Sequence, residues 1–278
     1  MGRWFVARLL QDGKEVVITG RNQERLLEAG RQLGVEVASN IAAVNGVDIV
    51  LLSVPIESFE GVVKEIGPHI QPGQMVIDIT SIKTLPVDMM HRYIEKGSVL
   101  GAHSLFGPGA HSMVNQNFIL TPTSEEEREL SAKVSGYLEK KGAKVSLMTP
   151  QEHDEMMTVI LGLSHFIAIV SADTLLSCDG LKRMTEVGGI TYKVLFTLVE
   201  SVVSEDPGLY ASLQMNLPGL SKIEKLFQEK AQAWVGLVES KDRQEFVRQM
   251  KGLRQRLEES APDFGRAYEN MYKLVELL

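Results

Sequence analysis

"MGRWFVARLLQDGKEVVITGRN", residues 1–22, decides the fold. Trp4, Phe5, Val6, Leu9 and Leu10 have the spacing of a buried amphipathic helix. Asp12-Gly13 stops that helix, and residues 15–20 (EVVITG) have the composition of a buried strand. Helix, tight turn and strand, followed by Arg21-Asn22, make the second half of a βαβ unit of the kind that cradles a nucleotide. The first strand and its glycine-rich turn do not precede Gly2, so the unit is entered midway. The expectation is that the reading frame upstream of codon 1 encodes them.

Outward from that stretch the pattern repeats. Apolar strand candidates fall at 15–20, 35–38, 47–54, 75–80, 98–102, 117–121 and 143–148, with helical segments between most of them. The run 47–54 (VDIVLLSV) is almost continuously apolar, as expected of a parallel strand covered on both faces. This alternation predicts a doubly wound α/β sheet over residues 1–150, with room for antiparallel edges among the later strands. Residues 151–278 instead predict an all-helical domain, with helices at 151–177, 181–204, 220–239, 242–259 and 262–277. Within it, "VILGLSHFIAIVSADTLL" (159–176) is apolar nearly all round, which predicts burial in a core or at a subunit interface rather than in a membrane.

Composition narrows the function. Of 278 residues, 29 are Lys or Arg and 36 are Asp or Glu, a net charge of −7 that argues against a nucleic-acid surface. The single cysteine, Cys178, excludes an intrachain disulfide and fits a reducing, cytoplasmic setting. Arg3 and Arg8 interrupt the opening segment before it could serve as a signal peptide. A soluble chain with no membrane partner is expected.

Candidate ligand-binding residues lie where strands end, because ligands of such sheets bind outside the carboxyl ends of the strands. Gly2 stands at the place of the third glycine of a pyrophosphate-binding turn. Gly20-Arg21-Asn22 ends the next strand where NAD-binding chains carry an acidic residue, and a guanidinium there suits the 2′-phosphate of NADP. Ser53-Val54-Pro55 closes the third strand. "VIDITSIKT" (76–84) brings Asp78, Thr80, Ser81 and Lys83 to another strand end. "GAHSLFGPGAHSM" (101–113) sets His103 in what reads as a glycine-rich loop, a suitable place for a general base. His153 and His165, twelve apart, point about 120° from each other on a straight helix, so they cannot share a metal. The other histidines lack ligand spacing, and no metal is predicted. His165, among apolar neighbours, requires a partner, either a core network or a ligand between the domains.

Taken in order, SVP (53–55), ITSIK (79–83), GAHSLFGP (101–108), HDEMM (153–157) with SHF (164–166), and SEDPGLYASLQMN (204–216) resemble the prephenate dehydrogenase family. The opening MGRWF is closest to its archaeal-type members. The resemblance implies a Rossmann-type domain, here without its first strand, followed by a helical dimerisation domain and a homodimer. It implies oxidative decarboxylation of prephenate to 4-hydroxyphenylpyruvate in tyrosine biosynthesis, with hydride transfer to NADP or NAD. His103 would accept the ring-hydroxyl proton and Ser81 would orient that hydroxyl. His165 would lie against the substrate, and Lys83 would belong to the site wall. Lys193, in "GGITYKVLF" (188–196), stands where relatives commonly carry an arginine for a substrate carboxylate. It keeps the charge but loses the bidentate fork. Arogenate dehydrogenase, another two-domain NAD(P)-dependent reductase, and a non-catalytic paralogue acting as a dimer or regulatory partner are the alternatives.

Overall fold

A computed structural model describes residues 1–276, which form two compact units that divide between Met157 and Thr158. The first unit contains α1 (Gly2–Gln11), β1 (Val17–Ile18), α2 (Gln23–Leu33), β2 (Glu36–Val37), α3 (Asn40–Val44), β3 (Ile49–Leu52) and α4 (Ile56–Ile66). It continues through β4 (Met75–Asp78), α5 (Thr84–Tyr93), β5 (Ser98–Ser104), β6 (Asn117–Thr121), α6 (Glu125–Lys140), β7 (Lys144–Leu147) and α7 (Pro150–Met157). Seven strands fall on the seven apolar runs, and several helix starts are written locally. Asn22 caps α2 by accepting from Arg25 N at 2.9 Å, and Ser124 caps α6 ahead of three glutamates.

The strands form two sheets. β1 and β2 pair in parallel, and a separate five-stranded sheet runs β3-β4-β5-β6-β7. β3, β4 and β5 are parallel to one another, β6 is antiparallel to β5, and β7 is parallel to β6, so the later strands supply the antiparallel element. β3 is not the covered central strand its apolar run suggests. Among the described residues it pairs only with β4, and Ile49 is 50% exposed along that edge. One face of the larger sheet packs Leu100, Phe118 and Leu120 against Trp4 and Phe5 of α1 and Leu130 of α6. The other packs Val76 and Val99 against Phe59 and Val63 of α4 and Val87 and Met90 of α5. Helices on both faces of a mostly parallel sheet give a Rossmann-like domain with a mixed sheet.

The second unit is helical: a π-helical turn (Thr158–Leu163), α8 (Ser164–Leu176), α9 (Leu181–Val187), α10 (Ile190–Val203), α11 (Pro207–Asn216), α12 (Leu220–Glu239), α13 (Arg243–Ser260) and α14 (Ala267–Glu276). The expected helix over 181–204 is broken at Gly188-Gly189 into α9 and α10. α11 was not anticipated from periodicity, although its start is written in the sequence. Asp206 caps it and Pro207 occupies its first turn. The continuous run Pro150–Leu176 is long and apolar enough, by length and composition, to cross a membrane, with a mean hydropathy of 1.9 over its most apolar window. Only 17% of that window is buried within a single chain. Of the two expected settings, a core or a subunit interface, the single chain does not supply the core.

Candidate active site

His103 is the penultimate residue of β5, opposite Ile119 of β6. It is not in a loop: the glycine-rich segment begins after the strand ends, and the imidazole is only 4% exposed. Its Nδ1 lies 2.8 Å from Nε2 of His153, with the rings edge to face and centroids 5.0 Å apart. His153, on α7, places its own Nδ1 2.8 Å from Oδ1 of Asp154. Asp154 accepts further from Lys83 N at 2.7 Å and Thr84 N at 2.9 Å, so its carboxylate caps the start of α5.

The loop between β4 and α5 is held from the other side by Asp78. Its Oδ1 accepts from Thr80 N at 2.7 Å, and its Oδ2 forms an ion pair with Lys83 Nζ, both side chains being fully buried. Thr80 Oγ1 donates to Ile82 O at 2.8 Å. Lys83 therefore does not line an open wall. Space for its stem comes from Gly101 of β5, where a Cβ would sit 3.2 Å from Lys83 Cδ and 2.8 Å from Val87 Cγ2. Ser81 is half-buried in the same loop and makes no hydrogen bond to His103.

These surroundings set the protonation states. Burial, followed by the proximity of His153 and of the Lys83 cation, holds His103 well below the usual histidine range, which keeps it neutral near pH 7. Burial also lowers His153 despite the opposing pull of Asp154. Burial alone would raise Asp154, but hydrogen bonds from His153, Thr84 and Lys83 outweigh it and keep the carboxyl below its ordinary range. Among the described residues no group of three or more His, Cys, Asp or Glu could hold a metal ion.

The expected nucleotide-binding residues occupy the first unit. Gly2 begins α1, which has no side-chain cap, and a Cβ there would come within 3.3 Å of Ser53 Oγ. Ser53 and Pro55 are exposed beyond β3, Val54 is half-buried, and Arg21 is exposed after β1. Asn22 beside it spends its side-chain oxygen on the α2 cap. His165 and Lys193 belong to the second unit. His165, on α8, meets the Tyr210 ring edge-on at 4.9 Å, and its buried Nδ1 has no hydrogen-bond partner. The polar partner that its burial calls for is not supplied at Nδ1 by the described residues. Lys193 is exposed on α10. His153 and Asp154 are the site residues that sequence reasoning missed. A His-Asp pair just after the last strand was the available signal.

Comparison with known proteins agrees with this architecture. The family model for the prephenate dehydrogenase nucleotide-binding domain matches residues 6–147, and that for the prephenate dehydrogenase dimerization domain matches residues 149–252. A probable arogenate/prephenate dehydrogenase of Methanocaldococcus jannaschii is 35% identical over 270 residues, covering 95% of this chain and 59% of that relative. The chain spans 52–59% of the length of the curated relatives it matches. Among solved structures, prephenate dehydrogenase from A. aeolicus in complex with hydroxyphenyl propionate and NAD+ superposes with a TM-score of 0.76 at 21% identity, over 93% of this chain and 94% of that one. Synechocystis arogenate dehydrogenase gives a TM-score of 0.70 at 20% identity, over 94% and 96%. At such identity these two likenesses speak for the fold, and the family models speak for kinship. With a nucleotide-binding domain and a dimerisation domain matched in sequence along most of its length, this chain belongs to the prephenate dehydrogenase family.

Proposed function

We propose that the chain catalyses the oxidative decarboxylation of prephenate to 4-hydroxyphenylpyruvate, with NADP preferred over NAD as hydride acceptor. The observation that carries this reading is His103, a buried neutral histidine at the carboxyl end of a sheet strand. The residues present suit a nicotinamide dinucleotide. The uncapped start of α1 offers backbone N–H groups to a pyrophosphate, Gly2 keeps the approach beside Ser53 narrow, and Arg21 is free to meet a 2′-phosphate. A nicotinamide bound there would supply the acceptor for the hydride of the ring carbon bearing the hydroxyl.

His103 accepts the hydroxyl proton as the carbonyl develops, which requires the neutral imidazole that burial maintains. Loss of the ring carboxylate as carbon dioxide restores aromaticity to the ring. Ser81 orients the hydroxyl. His165 lies against the substrate, and Lys193 supplies a cation for one of its carboxylates. The exposed apolar faces of the helical unit, including Ile160, Ile169 and Val170, support a homodimer built through that unit. The lone cysteine, Cys178, suits a cytoplasmic location.

Steady-state kinetics with prephenate and arogenate, each with NADP and NAD, test the proposal. The expected result is the highest kcat/KM for prephenate with NADP. A preference for arogenate would move the assignment within the family. Cofactor binding by fluorescence titration without turnover of either substrate would favour the non-catalytic paralogue and overturn the enzymatic reading.

A further inference from the structure

The chain of contacts from Asp154 through His153 to His103 has a direction. The donors around the Asp154 carboxylate include Lys83 N, Thr84 N and the His153 ring, and an ionised carboxylate only accepts. His153 must therefore carry its proton on Nδ1. A neutral His153 then presents a bare Nε2, and the only group that can satisfy the 2.8 Å contact to it is an N–H on Nδ1 of His103. In water a neutral histidine favours the opposite tautomer, with the proton on Nε2.

We propose that His153 and Asp154 are positioning residues that fix His103 as its Nδ1–H tautomer, leaving Nε2 bare to take the substrate proton. This rests on the reading of His103 as the general base and says how it is made one. In the step itself the hydroxyl O–H bond breaks and an Nε2–H bond forms on His103. The imidazolium so produced still donates from Nδ1 to His153, and Asp154 at the far end carries the compensating negative charge. The other charges bearing on the two rings are Lys83 and its partner Asp78, an ion pair buried on the opposite side of the loop. The same carboxylate accepts from Lys83 N and Thr84 N at the start of α5, so the Asp154 side chain that orients the relay is itself held by a helix start.

Two kinds of measurement test this in the full chain. Nitrogen-15 NMR of histidine-labelled protein at neutral pH reads the tautomers without any substrate, and should find His103 protonated on Nδ1 and bare on Nε2. Asp154→Asn places its amide oxygen where Oδ1 accepts from both Lys83 N and the His153 ring, so the tautomers persist but the negative charge that compensates the His103 imidazolium is lost. Its kcat should fall by about 10²–10⁴ with KM for prephenate and for NADP nearly unchanged. His153→Leu should also lose kcat, whereas His153→Gln, whose amide oxygen can still accept from His103 Nδ1–H, should retain more of it and the parental tautomer. An Nε2–H signal for His103 in the parent overturns the proposal, as does a folded Asp154→Asn protein with parental kcat. Should Asp154→Asn fail to fold, the parent spectrum and the His153 pair decide. If His103→Asn keeps parental kcat while the parent spectrum is as expected, the general-base reading fails and the tautomer assignment stands.

Discussion

His103 sits where a charge would be expensive, so its environment selects the neutral ring and then gives one of its nitrogens a partner. Sequence alone identified this histidine but misread its setting, because Gly101 before it and the glycines after Phe106 look like a loop from end to end. His153 and Asp154 were harder to find. Their link to His103 spans 50 residues, and nothing in local periodicity reports which side chains meet across that distance. Arg21 is proposed from a simpler signal, the absence of an acidic residue at a strand end. If it meets a 2′-phosphate, one charge-assisted contact is worth about 1.5–3 kcal/mol, or about 10- to 150-fold. Arg21→Asp should shift the NADP-to-NAD ratio of kcat/KM by that factor toward NAD. Equal use of both cofactors by the parent would reduce Arg21 to a solvated turn residue.

At the scale of elements, the strand runs carried most of the fold, since buried parallel strands need continuous apolar stretches and these stood out between helices. The segment around α11 did not, because its helix start is signalled by a cap and a proline while its apolar residues follow no clean stripe. Element packing around the site depends on a side chain that is absent. A Cβ at Gly101 would collide with Thr121 Oγ1 and crowd Val87 and Lys83, so β5 approaches both β6 and α5 closely there. Gly101→Ala should cost about 1–3 kcal/mol, as overpacking of a full core does. It should also lower activity by pushing on the loop that Asp154 and Lys83 hold. Urea denaturation with an unchanged midpoint would mean that the neighbours relax freely and that the close packing is incidental.

For the whole molecule, the apolar helix run from Pro150 to Leu176 leaves an apolar face exposed in the single chain. Exposed Ile169, Val170 and Leu176 in a single chain form the kind of apolar surface that soluble proteins cover by association. Sedimentation velocity should find a homodimer, and Ile169→Asp should shift it toward monomer. A monomeric parent would mean that some other partner covers this face. Turnover by that assembly, in this account, depends on one proton acceptor. The most direct test is the steady-state kinetics of His103→Asn with prephenate and NADP. The substitution keeps a hydrogen-bonding side chain but removes the basic nitrogen, so kcat should fall by about 10²–10⁴ while KM for prephenate changes far less. A near-parental kcat with a much raised KM would contradict the account, placing His103 in substrate binding and requiring the base to be sought elsewhere, first at His165.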